Sequence, residues 1–166
     1  MSKKLPTKRD VRLILAEDVR QELMGKASLQ GFLPGDEFLV VGNPPPGTPP
    51  NVAFVVSSLA FLFVVRGGEG KFDGRYRAIA PDKKTVVFDA PAGQPLEKIA
   101  DKAAVFGTVA KPFIGPAFGI YTVQLVLDKA KFSFPMTIGK VPSNRPAEGL
   151  KKIAAPAGRA KRGMTG

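Results

Sequence analysis

The sequence predicts an all-β fold, an antiparallel β-sandwich, and three observations predict it. Short apolar or alternating runs recur throughout residues 11–138. Turn residues separate them, as in Pro34-Gly35-Asp36, Gly67-Gly68-Glu69-Gly70 and Pro81-Asp82-Lys83-Lys84. No long stretch carries the 3.6-residue period of an amphipathic helix. Patterns of this kind read as about 7–9 strands with at most one or two short helices.

The elements follow in order. Val11-Arg12-Leu13-Ile14-Leu15 alternates weakly and gives a first strand. Val19 and Leu23 stand four apart, so residues 17–24 are expected to form a helical turn stopped by Gly25. Residues 27–32 and 37–41 are expected to pair as strands across Pro34-Gly35-Asp36, which supplies a fixed φ, a permissive φ and a side-chain acceptor. Residues 42–50 hold five prolines. Five missing backbone donors exclude a helix or a central strand there, so a stiff connection is expected, with a polyproline II ligand for aromatic grooves as the alternative.

Residues 53–66 give one or two strands, and Phe61-Leu62-Phe63-Val64-Val65 is apolar throughout, as in a strand covered on both faces. Residues 71–80 alternate, with Phe72, Tyr76 and Ala78 inward. A hairpin through residues 81–84 leads into Thr85-Val86-Val87-Phe88. Residues 96–100 are expected to form a short helix and residues 103–113 a strand. The last two strands, 120–127 and 132–138, are joined through Asp128-Lys129-Ala130-Lys131.

Gly119-Ile120-Tyr121 enters an alternating strand near the end of this series. In immunoglobulin-like sandwiches a tyrosine so placed ties a corner between sheets through its hydroxyl. The expected architecture is therefore immunoglobulin-like or C2-like. Residues 14–20 (Ile14-Leu15-Ala16-Glu17-Asp18-Val19-Arg20), 25–31 (Gly25-Lys26-Ala27-Ser28-Leu29-Gln30-Gly31), 60–68, 81–84 and 119–123 together resemble a family of uncharacterised bacterial β-sandwich domains. The resemblance spans residues 11–138, implies the same fold and carries no function with it. The proline-rich loop and the basic C-terminal segment lie outside its pattern.

Composition excludes much chemistry. The 166 residues include no cysteine and no histidine. Disulfides, thiolate metal sites, a cysteine nucleophile and a histidine base are all ruled out. A cysteine-free chain fits a reducing compartment, and no apolar signal region follows the basic N-terminus, so a cytoplasmic location is expected. The longest apolar run, residues 52–65, is too short to span a bilayer as a helix.

The net charge of +11 is uneven. Residues 1–10 carry four basic groups and one acid, and residues 140–166 carry seven and one. The body between them is nearly neutral. This divides the chain into a flexible basic arm (1–10), a sandwich (11–139) and a flexible Pro/Gly/Ala-rich tail (140–166) that cannot bury enough area to order itself. Lys3, Lys4, Lys8, Arg9, Lys151, Lys152, Arg159, Lys161 and Arg162 are the candidate polyanion-binding residues.

Other constellations are weaker. Gly67-Gly68-Glu69-Gly70-Lys71 lacks the spacing, the following Ser or Thr and the helix of a phosphate loop. Arg66, Lys71, Arg75, Tyr76 and Arg77 could stack bases, but a hairpin with its arginines in solvent explains them more simply. Glu17, Asp18 and Glu22 are expected to cap and pair on a helical surface, and Asp36, Asp89 and Asp128 to sit in turns, with loop-tip calcium as the alternative use. Ser57 and Ser58 have no evident base. The expected function is a non-catalytic structural or protein-interaction module without cofactors, part of a larger assembly. The alternative is non-specific nucleic-acid binding through the basic ends.

Overall fold

The computed structural model describes residues 3–21 and 27–141. The protein is an all-β sandwich with thirteen strands and one 3-10 turn, Lys8–Asp10, among the described residues. The strands are β1 (Val11–Gln21), β2 (Ala27–Leu33), β3 (Glu37–Val40), β4 (Phe54–Val56), β5 (Leu59–Val65), β6 (Gly70–Phe72), β7 (Gly74–Ile79), β8 (Val86–Pro91), β9 (Leu96–Lys98), β10 (Ala104–Ala110), β11 (Phe113–Gly115), β12 (Gly119–Leu127) and β13 (Ala130–Lys140). A four-stranded sheet runs β10-β5-β1-β2 and a five-stranded sheet runs β3-β13-β12-β7-β8. Two small ribbons, β11-β4 and β6-β9, complete the structure.

Period-two burial makes the core. On β12, Tyr121, Val123, Leu125 and Leu127 are buried while the residues between them are partly exposed. This is the expected pattern for a strand with one face inward. Phe63 of β5 joins the layers, with its ring 6.1 Å from Tyr76 and 5.9 Å from Phe134. Phe61 reaches Phe88 in the same way at 5.8 Å. Each such buried ring contributes about 1.5–3 kcal/mol of transfer free energy, so the aromatic run on β5 fixes which face is inward.

Five expectations are corrected. Residues 17–21 are strand, not helix, because β1 continues along β2 with Val19 opposite Leu29. An isolated turn of helix has little stability of its own and loses to that ladder. The rest of the expected helix, with Glu22, Leu23 and Met24, lies outside the described residues. Residues 27–33 and 37–40 do not pair with each other. Pro34-Gly35-Asp36 carries the chain between layers instead, and Thr137 N–H captures the carbonyl of Asp36 at 2.5 Å. β3 then runs parallel to β13, so the sandwich is not purely antiparallel.

Residues 96–98 form β9, paired with Gly70–Phe72, rather than a helix. Finally, there are more strands than about nine, because polar and proline residues cut long strands. Pro112 lacks an N–H and separates β10 from β11, while Asp73 separates β6 from β7.

The N-terminal arm is docked from Lys3 onward. Lys4 and Glu69 exchange backbone hydrogen bonds of 2.9 and 2.8 Å. Pro6 is buried. Asp10 accepts from the Thr7 N–H and hydroxyl, each at 2.7 Å, which closes the 3-10 turn. The C-terminal segment from residue 142 lies outside the described residues.

Candidate interaction surface

On the five-stranded sheet the outward face mixes polar side chains with apolar ones such as Ile120, which is 62% exposed. Arg75 and Arg77 both engage Asp89, and Gln124 donates to Ser133 at 2.9 Å. Asp89 itself lies in β8 and not in a turn.

The four-stranded sheet presents apolar side chains over much of its outward face, with Arg12 and Asp18 on the same side. Register places Ile14 opposite Leu62, Ala16 opposite Ala60 and Phe32, Val105 opposite Val64, and Val109 opposite Ala60. Residues directly opposite one another point to the same side, so these share one face, which also carries Arg12 opposite Val64 and Asp18 opposite Gln30. Leu62 and Ala60 at its centre are buried by their neighbours, while Phe32 and Val105 at its two edges are 56% and 60% exposed. Gly107 beside Leu62 is filled by that leucine, since a Cβ there would lie 2.6 Å from its Cδ2. β2 and β10 are edge strands, and neither contains a charged residue or a proline to discourage pairing.

One polar feature closes the end of this face. Lys111 binds both carboxylate oxygens of Asp18, at 2.9 and 3.1 Å. That contact, with the Val19 N–H second, holds the Asp18 carboxyl below its ordinary value. Of the Glu17, Asp18 and Glu22 group, Glu22 lies outside the described residues, and Asp18 pairs with Lys111 from a strand and not from a helix. Glu17 and Asp18 point to opposite sides of β1, with Glu17 lying over Gly31 where a Cβ would meet it at 2.5 Å. Asp36, Asp89 and Asp128 stay apart, and no group of three potential metal-binding side chains converges among the described residues.

The basic residues of the arm are largely engaged with the body. Lys3 Nζ binds Asp128 at 2.8 Å and sits 5.5 Å from the Phe72 ring centre. Lys8 donates to the Ser133 carbonyl and lies 3.8 Å over the Phe134 ring. Partial burial lowers the Lys8 pKa. Lys4 contributes its main chain, and Arg9 is exposed. Lys151, Lys152, Arg159, Lys161 and Arg162 lie outside the described residues.

The Gly67–Lys71 loop serves this docking. Gly68 adopts φ +84°, and a Cβ there would lie 2.8 Å from the Pro6 nitrogen. Of the neighbouring basic and aromatic residues, Tyr76 faces inward, while Lys71 pairs with Glu97 at 3.6 Å. Sequence reasoning missed the apolar outer face, although its signal was present. Phe61–Val65 was apolar at both parities, and Ile14, Val105 and Val109 share the outward parity of their strands. No described helix is long and apolar enough to cross a membrane.

No protein-family model matches the chain, and no curated protein matches it. Neither result bears on the resemblance over residues 11–138.

Proposed function

We propose that the protein is a non-catalytic interaction module, a subunit of a larger assembly that associates through the outer face of its four-stranded sheet. The observation that carries this reading is the pair of exposed apolar side chains on the two edge strands of that face, Phe32 and Val105, 56% and 60% exposed. Exposed apolar side chains at sheet edges mark contact surfaces, and the uncharged edge strands that carry them offer backbone donors and acceptors for pairing.

Sedimentation velocity tests it. The wild-type chain is expected to associate with rising concentration, and the Phe32→Lys, Val105→Lys double variant to stay monomeric. Both substitutions sit at exposed positions, so both proteins fold. A wild type that remains monomeric at every concentration sinks the reading.

The polyanion reading has its support in the charge of residues 140–166, which hold seven basic groups and one acid. Its test is a nucleic-acid binding assay at two salt concentrations, with and without that segment. Loss of binding with the segment, and at the higher salt, would favour it.

A further inference from the structure

Lys98 is the one charged residue buried among the described residues, with 1% of its surface exposed. It ends β9, the short strand paired with β6. Its Nζ donates to the carbonyl of Ile99 at 2.6 Å. No carboxylate lies within ion-pair distance of it among the described residues, although Asp10 is near enough to feel its charge. A lysine ammonium carries three donors, and burying one with donors unfilled is costly. Structures retain such a group where something supplies the missing acceptor.

A cleft of about 360 Å³ opens beside it, lined by Lys3, Glu69, Gly70, Lys71, Glu97, Lys98 and Ile99. Much of this wall is carbon: the side chain of Ile99 and the aliphatic stems of Lys3 and Lys71. The charged groups on the rim are largely spoken for, since Lys71 binds Glu97 and Lys3 binds Asp128. With Asp128 counted against Lys3, three lysines meet three carboxylates, and Lys98 is the lysine of the lining that has no ion-pair partner among the described residues. A second negative charge on a ligand would face Glu69 and Glu97 without a cation to meet it.

We propose that this cleft binds a small organic monoanion, a carboxylate with an apolar body, whose carboxylate accepts from Lys98 while its body lies against Ile99 and the lysine stems. The combination matches what small-molecule sites generally require: a concave, mostly apolar wall with a few converging polar groups. Charge-assisted hydrogen bonds to a sheltered ammonium supply the orientation. The site is separate from the sheet face and stands or falls independently of it.

Titration of the full-length protein with octanoate, followed by amide NMR, tests the proposal, with 1-octanol as the neutral match. Octanoate is expected to shift the amides of Gly70, Lys71 and Ile99, and octanol to bind more weakly. Lys98→Met keeps the length and apolar stem but removes the donors, and should weaken octanoate at least about tenfold while leaving octanol unchanged. Equal octanoate affinity in wild type and variant overturns the proposal. So does the absence of shifts at these amides in the wild type, a readout that does not require the variant to fold.

Discussion

Tyr121 donates its hydroxyl to the carbonyl oxygen of Ala117, four residues upstream, at 2.5 Å. The ring is fully buried and meets Phe54 and Phe113 edge-on, each with centroids 6.0 Å away. The bond fastens the turn before β12 to the strand itself, as in the tyrosine corners of immunoglobulin-like sandwiches. Tyr121→Phe keeps the ring packing and removes only the donor. It should cost about 1–2 kcal/mol, the usual value of one such bond, read as a lower denaturation midpoint with unchanged slope.

The same corner explains why Gly115 is glycine. A Cβ at this position would lie 2.2 Å from Phe54 Cζ and 2.4 Å from the Tyr121 hydroxyl. Gly115 φ is not in the left-handed region, so space and not backbone freedom is the constraint. Gly115→Ala must push two buried rings apart and should destabilise by about 1–3 kcal/mol, the cost of overpacking. Adding Tyr121→Phe frees part of the clash, so the double variant should lose less than the two single losses combined. Additive losses in a denaturation cycle would contradict that coupling.

How far the sequence could be read depended on whether a signal was local. Alternation along β12 and the turn at Pro81–Lys84 are local, and they fixed strands and hairpin directly. Tyr121 was legible because glycine, spacing and strand entry lie within three residues. The partner of β3 was not legible, because pairing with β13 depends on a segment about a hundred residues away, and nothing in Pro34-Gly35-Asp36 distinguishes a crossover from a hairpin. β9 was missed for the same reason: Leu96–Lys98 becomes strand only because Gly70–Phe72 offers it a ladder. The candidate site fared worse. A buried lysine looks like a surface lysine in sequence, and Lys98 was hidden inside an expected helix. An apolar run on β5 does not say whether its second face is covered by another layer or left to its neighbours.

Alkaline pH offers a clean test of the core, because the chain has two tyrosines and no tryptophan. Burial pushes the Tyr76 phenol up to about 12, with the backbone at Gly107 opposing it. Burial raises Tyr121 as well. The unfolded chain ionises these phenols near 10, so between 10 and 12 it has released protons that the folded chain still holds. Stability is therefore complete below the unfolded value and falls as pH rises toward the folded one. For Tyr76 alone the loss approaches about 2–3 kcal/mol. Absorbance at tyrosinate wavelengths should stay flat through the ordinary phenol range and then rise together with unfolding. An ordinary titration of either phenol in folded protein would contradict the buried placement.

Docking of the N-terminal arm makes the last prediction. Gly68 holds φ +84°, and any Cβ there would press on the Pro6 nitrogen at 2.8 Å and the Lys4 carbonyl oxygen at 2.9 Å. Both atoms are backbone, so neither can swing aside. Gly68→Ala should cost about 1–3 kcal/mol and break the Lys4–Glu69 bridge before it harms the sandwich. Hydrogen exchange at the Lys4 and Glu69 amides should quicken while the β12 amides stay protected. Acidification should loosen the same arm in the wild type by another route. Lys3, then the Asp73 N–H, holds the Asp128 carboxyl below its ordinary value. The contact is thus fully present above the ordinary carboxylate range and is lost as pH falls through the folded value. Lys3→Met should reduce that acid-linked change in exchange at Lys4, with Asp10 and its Thr7 contacts supplying the remainder, while leaving the Gly68→Ala effect intact, because the first acts through charge and the second through space.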